Sequence, residues 1–514
     1  MTQTVVPALI QEMMQPGFYP HPVKEPIQLM QTHVSYVFLT GDYAYKVKKP
    51  VNFGFLDFST LEARQHFCLE EIQMNQQNAP EIYLEVLPIT QSDDQFELAG
   101  TGQTVEYVLK MREFPQDDLF ISMFEQGRLT EAHMEELGRI VAQFHAKAQT
   151  NDYIRRFGEV SKVRQAIDEN YEQTENYIGG PQTSQQFEET KQFTDAFFAK
   201  KQELFNSRIQ NNKIRECHGD LHLRNICLWQ DKIQLFDRIE FNEPFRFVDV
   251  MYDIAFAVMD LEARGHKELG NAFLNTYIEQ TGDWEGLQVL PLYLSRQAYV
   301  RAKVTSFLLD DPGVPEDAKK EATATAADYY RLAWQYTQQR KGQVILMSGL
   351  SGSGKTTVGR HLARRLGAIH LRSDAVRKHL AGIPLEQTGG AELYTSAMSQ
   401  KTYARLLELG IKLAKIGFPV ILDAKYDREA FRTEAIAQAQ NNQLPVQIIY
   451  CTAPEDVLRD RLLSRTGDVS DATADLLSQQ QATAEFFTDA EQPLVTTVDT
   501  TQDWISQLLL PSQL

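Results

Sequence analysis

The sequence lacks the features that mark disulfide-rich, membrane-spanning and disordered proteins. Its 514 residues include only four cysteines, with no Cys-x-x-Cys pair, so we expect ordinary buried thiols rather than a disulfide framework or a zinc site. No apolar run reaches the roughly 18 residues of a transmembrane helix, and the first residues show no basic leader, which predicts a cytoplasmic protein with no membrane partner. The content of 43% hydrophobic and 23% charged residues is typical of a folded globular chain.

Positive charge is also scarce, and the deficit lies in one part of the chain. Lysines and arginines number 51 against 69 aspartates and glutamates, a net charge of −18, which argues against nonspecific coating of a nucleic acid. From residue 341 onward the chain is nearly neutral, with 18 basic and 19 acidic residues. We therefore predict one domain over 1–335 and a second over 342–514. The charges disfavour a nucleic-acid partner for the first domain and allow one for the second.

The first domain begins with β-prone runs and continues with helical patterns. The β-prone runs are at 34–39, 43–47, 83–89 and 105–111. The first two flank a turn that contains Gly41 and predict a hairpin, and a helical period covers 60–78. Long helical patterns follow. These patterns predict a small β-rich lobe over about 1–113 and a helical lobe over about 114–335.

The second domain alternates strands with helices. Its β-prone runs are at 344–348, 368–371, 419–424 and 446–452. Helical patterns separate them, so we expect a parallel sheet and an α/β fold. A glutamine cluster at 479–481 falls in a helical pattern, and we expect it on a solvated helix surface.

One segment of the second domain carries a specific nucleotide-binding motif. Residues 349–356 (GLSGSGKT) match G-x-x-x-x-G-K-[ST] between a predicted strand and a predicted helix, as this motif requires. Its backbone N–H groups and the helix dipole would face phosphate oxygens, Lys355 would reach the β- and γ-phosphates, and the Thr356 hydroxyl would hold Mg²⁺. The predicted ATP-binding residues are Gly349, Ser351, Gly352, Ser353, Gly354, Lys355, Thr356 and Thr357.

Polar residues near the ends of later elements are candidates for the chemistry. Asp374 follows the run at 368–371, where a carboxylate faces the ligand crevice of an open sheet, and it is either the base for the acceptor hydroxyl or a helix N-cap. Asp423 ends the next strand and either holds the metal or closes a turn. Arg461 and Arg465 share one helix face and either clamp ATP phosphates or lie in solvent.

This region resembles AAA-type P-loop proteins, in particular the gluconate kinase-like and polynucleotide 5′-hydroxyl kinase-like enzymes. The resemblance covers nearly all of 343–510 and rests on the P-loop, the Ser373-Asp374 segment, the VILDAKYDR run and the arginine-rich helix. It implies ATP and Mg²⁺ as cofactors. The motifs do not name the acceptor.

The first domain carries a second constellation for phosphoryl transfer. His218-Gly219-Asp220 is followed by Asn225, and a hydrophobic strand ends at Asp237. Phosphoryl transfer needs a carboxylate that accepts the acceptor's proton, together with asparagine and aspartate oxygens that hold the metal. We therefore predict Asp220 as the catalytic base and Asn225 and Asp237 as Mg²⁺ ligands.

With its HGDLH form, the first domain resembles the aminoglycoside phosphotransferase and choline kinase-like relatives of protein kinases. The resemblance implies a two-lobed α+β protein-kinase-like fold. It also implies that Lys46 contacts the ATP phosphates and that Glu71 is its ion-pair partner, with Lys48 and Glu70 as rivals for these roles. No G-x-G-x-x-G precedes these lysines, so only the turn at 40–42 is available to cover the phosphates.

Together the motifs predict a bifunctional ATP-dependent phosphotransferase in which each domain phosphorylates a hydroxyl of a small-molecule acceptor. Two alternatives stay open. The chain could be an ATP-binding switch with a degenerate kinase lobe, or its second domain could phosphorylate the 5′-hydroxyl of a polynucleotide. A basic groove around Arg372, Arg377, Lys378 and Lys425 would favour the second alternative.

Overall fold

The computed structural model describes residues 8–93, 95–464, 469–471 and 473–508. Its contacts divide the chain into two compact units. The first unit contains residues 1–130, 144–168 and 198–260, and the second contains 131–143, 169–197 and 261–514. Within the described ranges, no helix is long and apolar enough to cross a membrane. The domain boundary expected between residues 335 and 342 stays a prediction.

The first unit is built on a six-stranded antiparallel sheet with strands in the order β1, β2, β3, β6, β4, β5. The strands are β1 (Gln28–Gln31), β2 (Ser35–Leu39), β3 (Tyr43–Lys48), β4 (Tyr83–Ser92), β5 (Gln95–Leu98) and β6 (Gln103–Arg112). The expected hairpin is the pair β2 and β3, and the two later β-prone runs are β4 and β6. The short strands β1 and β5 were not predicted from the sequence.

Helix α1 (Leu61–Asn75) follows β3 and lies beside the sheet. It begins after Thr60, whose side chain accepts a backbone N–H of the first turn, as a helix N-cap does. Side chains alternate along a strand, so Tyr45 and Val47 of β3 enter the core. Lys46 and Lys48 share the opposite face, where both contact Glu71 of α1.

Helices dominate the chain between β6 and residue 340, with two short antiparallel strand pairs among them. The pairs are β7 (Ile214–Glu216) with β10 (Phe247–Asp249), and β8 (Ile226–Trp229) with β9 (Lys232–Leu235). The helices are α2 (Phe120–Glu125), α3 (Glu131–Lys147), α4 (Asp152–Arg155), α5 (Val160–Glu172), α6 (Ser184–Lys200), α7 (Gln202–Gln210), α8 (Glu243–Arg246), α9 (Val250–Ala263), α10 (Lys267–Thr281), α11 (Leu290–Asp310) and α12 (Glu316–Thr337).

The P-loop region of the second unit is a five-stranded parallel sheet with strands in the order β12, β13, β11, β14, β15. The strands are β11 (Gln343–Ser348), β12 (Ile369–Arg372), β13 (Pro419–Asp423), β14 (Val446–Thr452) and β15 (Val495–Asp499). The helices are α13 (Lys355–Leu366), α14 (Ser373–Ala381), α15 (Ser396–Lys415), α16 (Glu429–Asn441), α17 (Glu455–Ser464) and α18 (Leu477–Thr483). Strand β11 lies at the centre, so the loop that follows it opens at the middle of the sheet edge.

The predicted fold classes are confirmed. An antiparallel sheet followed by helices forms the kinase-like region, and a parallel sheet with intervening helices forms the P-loop region. The four cysteines are free and buried, as expected. Strand β15 was missed because its threonine-rich sequence has few of the aliphatic residues that mark a buried parallel strand.

Candidate active sites

Two buried lysines meet two buried glutamates in the first unit. Lys46 Nζ lies 2.8 Å from Glu71 Oε1 and 2.6 Å from Asp237 Oδ1. Lys48 Nζ lies 2.6 Å from Glu71 Oε2 and 2.5 Å from Glu240 Oε1. Glu71 therefore joins the two lysines, while Lys46 also reaches Asp237, which is 44% exposed. Of the two rival lysines, Lys46 is the one that contacts the solvent-facing carboxylate of Asp237, and Glu71 is its other partner.

Opposite charges keep Lys46 and Glu71 ionised in spite of their burial. Burial opposes the charge of Lys46, but Asp237 and Glu71 outweigh it and raise the pKa of this ammonium above its ordinary value. Burial also opposes the charge of Glu71, but Lys46 and Lys48 lower the pKa of its carboxyl to about 2. Lys46 therefore presents a permanent positive charge next to Asp237.

The His218-Gly219-Asp220 segment is held by Asp253 of α9. Asp253 accepts the Gly219 N–H at 2.7 Å and the His218 N–H at 3.1 Å, and its Oδ2 lies 2.9 Å from His145 Nε2. Gly219 has a φ of +85°, and a Cβ there would lie 2.8 Å from a carbonyl oxygen. Glycine is therefore required at this position, and the loop conformation is fixed from behind.

The predicted base and metal ligands follow this loop. Asn225 Nδ2 donates to the Asp220 Oδ2 and to its main-chain oxygen, each at 3.0 Å, and the Asp220 side chain is 36% exposed. The backbone N–H of Asp237 donates to the Tyr83 hydroxyl at 3.0 Å. The structure thus brings Asp220 to Asn225 and Asp237 to Lys46. Amide and carboxylate oxygens are the ligands that Mg²⁺ prefers, so the Asn225 and Asp237 donors fit this ion.

The turn at Thr40–Asp42 is tied to the segment that follows β6. The Gly41 N–H donates to Glu113 Oε2 at 2.8 Å, and the Glu113 N–H donates to the Asp42 carbonyl at 3.1 Å. This carboxylate occupies one of the turn's backbone donors. The assignment of the turn to the ATP phosphates stays a prediction.

In the second unit, the P-loop has the backbone conformation of a phosphate cradle. Gly349, Gly352 and Gly354 have φ values of +136°, +80° and +87°, a region that favours glycine. Lys355 Nζ donates to the Leu350 carbonyl at 2.7 Å, so the lysine lies across its own loop. Burial lowers the pKa of the Lys355 ammonium, so a nearby phosphate would stabilise its charge.

A chain of hydrogen bonds runs from the P-loop to the neighbouring strands. Thr356 Oγ1 donates to Asp423 Oδ2 at 2.8 Å, and the same oxygen lies 3.0 Å from His370 Nε2. Burial alone would raise the pKa of Asp423, but His370, Arg372 and Lys355 lower it to about 2. A hydroxyl beside an ionised carboxylate suits Mg²⁺. The donor set therefore fits the predicted metal role of Thr356 and Asp423.

A cavity of about 790 Å³ opens beside the P-loop. Its lining includes most of the predicted site residues of this region, namely Ser351, Gly352, Gly354, Lys355, Thr356, Thr357, Asp374, Asp423 and Arg461. The two remaining predicted loop residues, Gly349 and the buried Ser353, do not line the cavity. One cavity thus holds the phosphate cradle and both candidate carboxylates.

The candidate base and the arginines have defined partners. Asp374 lies in the first turn of α14 and pairs with Arg377 Nη1 at 2.6 Å. The N-cap of that helix is Arg372, so Asp374 does not serve as the cap. Arg461 donates to the Thr500 hydroxyl at 2.8 Å and to the Gly352 carbonyl at 3.3 Å. Arg465 lies outside the described residues.

Three residues at these sites were missed by sequence reasoning. Glu240 and His370 are buried partners of Lys48 and Asp423, and no motif contains them. Gln480 was expected on a solvated helix surface, which is wrong, because its side chain is buried and bonds to the P-loop.

Comparisons with known proteins match the P-loop region in one case and most of the chain in another. Residues 344–487 match the AAA domain family, which confirms the predicted resemblance of the P-loop region. The uncharacterized protein Rv2004c of Mycobacterium tuberculosis is 31% identical over 462 residues, which cover 89% of this chain and 90% of that protein.

Solved structures resemble each region separately. A gluconokinase from Sinorhizobium meliloti 1021 is 24% identical, and the match covers 32% of this chain and 87% of that chain with a TM-score of 0.24. A choline/ethanolamine kinase family protein from Mesorhizobium loti is 10% identical, and the match covers 64% of this chain and 99% of that chain with a TM-score of 0.37.

Proposed function

The chain belongs to the family of this mycobacterial protein, and we propose that it is a bifunctional ATP-dependent kinase. Each site transfers the γ-phosphate of ATP to a hydroxyl of a small-molecule acceptor. The observation that carries the proposal is the presence of two separate sets of phosphoryl-transfer groups. One set gathers around Lys46 and Asp220, and the other gathers around Lys355 and Asp423.

At the first site, Lys46 binds phosphate oxygens of ATP through its permanent charge. Asp220 accepts the proton of the acceptor hydroxyl as the bond to phosphorus forms. Asn225 and Asp237 would hold Mg²⁺, which neutralises charge on the transferred phosphoryl group when bound. Asp253 fixes the loop through the His218 and Gly219 N–H groups, so the Asp220 carboxylate is positioned before ATP arrives.

At the second site, the P-loop backbone and Lys355 bind the phosphates, and Thr356 with Asp423 would hold Mg²⁺. Asp374 accepts the proton of the second acceptor. Its partner Arg377 holds the carboxylate at the wall of the cavity, which both residues line. Lys425, another cation of the cavity, pairs with Asp427 at 3.0 Å.

These ion pairs favour a small acceptor over a polynucleotide. Arg377 and Lys425 each face a carboxylate, and Lys378 lies 3.2 Å from Asp471 Oδ1. Arg372 likewise lies 3.3 Å from Glu279 Oε1, so all four residues expected to form a basic groove have their charge balanced by a neighbour. A polyanion binds best where such charges are uncompensated.

The test measures ADP release and phosphate transfer by the full chain with sugars, amino alcohols, aminoglycosides and 5′-hydroxyl oligonucleotides. Asp220→Asn should reduce transfer to one acceptor class by about 10²- to 10⁴-fold, and Lys355→Ala should abolish transfer to the other. Matched controls are Asp317→Asn and Lys320→Ala, which remove an exposed ion pair of α12 and should change neither activity. Transfer unaffected by both site variants would refute the proposal, and transfer only to oligonucleotides would favour the polynucleotide kinase.

A further inference from the structure

Helix α10 covers the open edge of the P-loop sheet. Strand β12 is the last strand on its side of the sheet, so its outer backbone groups need other partners. Asn275 Oδ1 accepts the His370 N–H at 2.7 Å, and Asn275 Nδ2 donates to the Ala368 carbonyl at 3.0 Å. Asn271 Nδ2 donates to the same carbonyl at 2.9 Å. Two side-chain amides thus replace a neighbouring strand.

The next turn of α10 holds the end of the same strand. Glu279 Oε1 lies 3.3 Å from Arg372 Nη1, and the Glu279 carbonyl lies 2.8 Å from His379 Nε2. Residues 271, 275 and 279 are spaced by four, so they lie on one face of the helix. This face contacts β12 and α14 together.

The residues that α10 holds are those that reach the metal-binding carboxylate. His370 and Arg372 are two residues apart on β12, so their side chains lie on the same face of the strand. His370 bonds to Asp423, which accepts the Thr356 hydroxyl, and Arg372 lines the cavity beside the P-loop. A shift of β12 would therefore move Asp423 away from Thr356.

We propose that Asn275 and Glu279 are positioning residues of the P-loop site. They fix His370 and Arg372, and through them they set the distance between the Asp423 carboxylate and the Thr356 hydroxyl. The inference rests on the proposed function of that site as a Mg²⁺-dependent nucleotide site. It adds residues of α10 to a site whose motif begins 70 or more residues later in the chain.

The test measures binding of a fluorescent ADP analogue to the full chain, with Mg²⁺ and with EDTA. Binding that Lys355→Ala removes is assigned to the P-loop site. Asn275→Ala should weaken the Mg²⁺-dependent part of this binding by about 5-fold, because partners behind a metal ligand set its orientation. Glu279→Ala should weaken it by about 3-fold, and Glu279→Gln, which keeps a hydrogen bond to Arg372, by less. Binding in EDTA should change little.

The matched control is Glu285→Ala. It breaks the ion pair between Glu285 and Arg405, which also joins the segment after α10 to the P-loop region but does not lead to Asp423. If Glu285→Ala weakens Mg²⁺-dependent binding as much as Asn275→Ala, the effect is general packing and the positioning role is refuted. Unchanged binding in Asn275→Ala and Glu279→Ala also refutes it. If Lys355→Ala removes no binding, the proposed function of the site is wrong, and the positioning role is refuted with it.

Discussion

The two candidate sites are held in shape by different physical means. In the first, ion pairs of 2.5–2.8 Å between largely buried side chains set the geometry, and they involve Lys46, Lys48, Glu71 and Glu240. In the second, the backbone sets the geometry through the three P-loop glycines with positive φ. The first site is therefore a network of charges from distant segments, and the second is a local loop conformation.

This difference determines how each site should fail. Removing one partner of a buried ion pair leaves the other charge uncompensated in the interior, which destabilises the fold. Lys355, in contrast, makes one hydrogen bond to a carbonyl oxygen, and burial already disfavours its charge. We expect charge removal to unfold the first site and to leave the second folded but unable to bind phosphate.

The largest effect should come from Glu71→Ala. It leaves Lys46 and Lys48 with one fewer carboxylate each, and the free energy of unfolding should fall by about 3–5 kcal/mol. Lys355→Ala should lower it by less than about 1.5 kcal/mol, since one hydrogen bond is lost. Urea unfolding followed by circular dichroism measures both values.

Glu70→Ala is the matched control for Glu71→Ala, because Glu70 is the neighbouring glutamate on α1 and is not buried. It should change stability by less than about 0.5 kcal/mol. Equal decreases in the free energy of unfolding for Glu71→Ala and Lys355→Ala would contradict the contrast between the two sites.

Glycine substitution tests whether backbone conformation also matters in the first unit. Gly219 and Gly54 have nearly equal φ values, +85° and +83°, but a Cβ at Gly54 would meet nothing within 4 Å. Both alanine variants carry the same dihedral strain, so their difference isolates the contact with the Phe245 carbonyl oxygen. Gly219→Ala should be less stable than Gly54→Ala by about 1–3 kcal/mol. Equal melting curves for the two variants would show that the loop moves aside.

The same contrast explains how much could be predicted from the sequence. The P-loop is contiguous, so eight residues between a strand and a helix sufficed to place Lys355 and Thr356. The HGD segment and Asp237 lie close together in the chain and were placed as well. The choice between Lys46 and Lys48 was not possible, because both lie on one face of β3 and the contact between Lys46 and Asp237 spans 191 positions.

Residues that act through tertiary contacts had no sequence signal. His370 sits in a short aliphatic strand, and its role depends on Asp423, 53 positions away. Gln480 is polar, as exposed helix residues usually are. Its burial depends on contact with Ser351 of the P-loop, which lies 129 positions earlier in the chain. Periodicity describes one element at a time, so it cannot predict which other element covers it.

Acid titration should show one protonation step from each site. Glu71 has its pKa lowered from 4.5 and Asp423 from 3.8, each to about 2. A carboxyl with a depressed pKa in the folded state stabilises the protein above its unfolded pKa, and this stability is lost as pH falls toward 2. Between pH 4.5 and 3.5, Glu71 should account for about 1 kcal/mol and Asp423 for about 0.5 kcal/mol.

The free energy of unfolding of the wild type should decline as the pH falls. Glu71→Gln should make this decline shallower beginning at a higher pH, and Asp423→Asn should make it shallower beginning at a lower pH. The order follows from the higher unfolded pKa of glutamate. Asp317→Asn, at an exposed carboxylate, should leave the slope unchanged. A slope identical to wild type in both site variants would contradict the pKa assignments.

The smallest effect should come from Gln480→Ala. Unlike the other variants, which lose a property of the protein, this one should gain affinity of the P-loop site for ADP. Gln480 Oε1 accepts the Ser351 N–H at 3.1 Å, and its Nε2 lies 3.1 Å from the Ser351 hydroxyl. That N–H belongs to the loop that would bind phosphate, so nucleotide must displace the glutamine side chain. Removing one such competing hydrogen bond should raise ADP affinity of the P-loop site by about 2- to 5-fold.

Gln481→Ala is the control, because Gln481 is exposed and bonds to Glu455 instead; it should leave ADP affinity unchanged. The first site is held by ion pairs among other residues, so Gln480→Ala should not alter the Asp220-dependent activity. Weaker ADP binding in Gln480→Ala would mean that the glutamine contacts the bound nucleotide directly. The P-loop site would then depend, as the first site does, on a side chain that is distant in the sequence. Only the glycine loop itself would still have its geometry set by local backbone conformation.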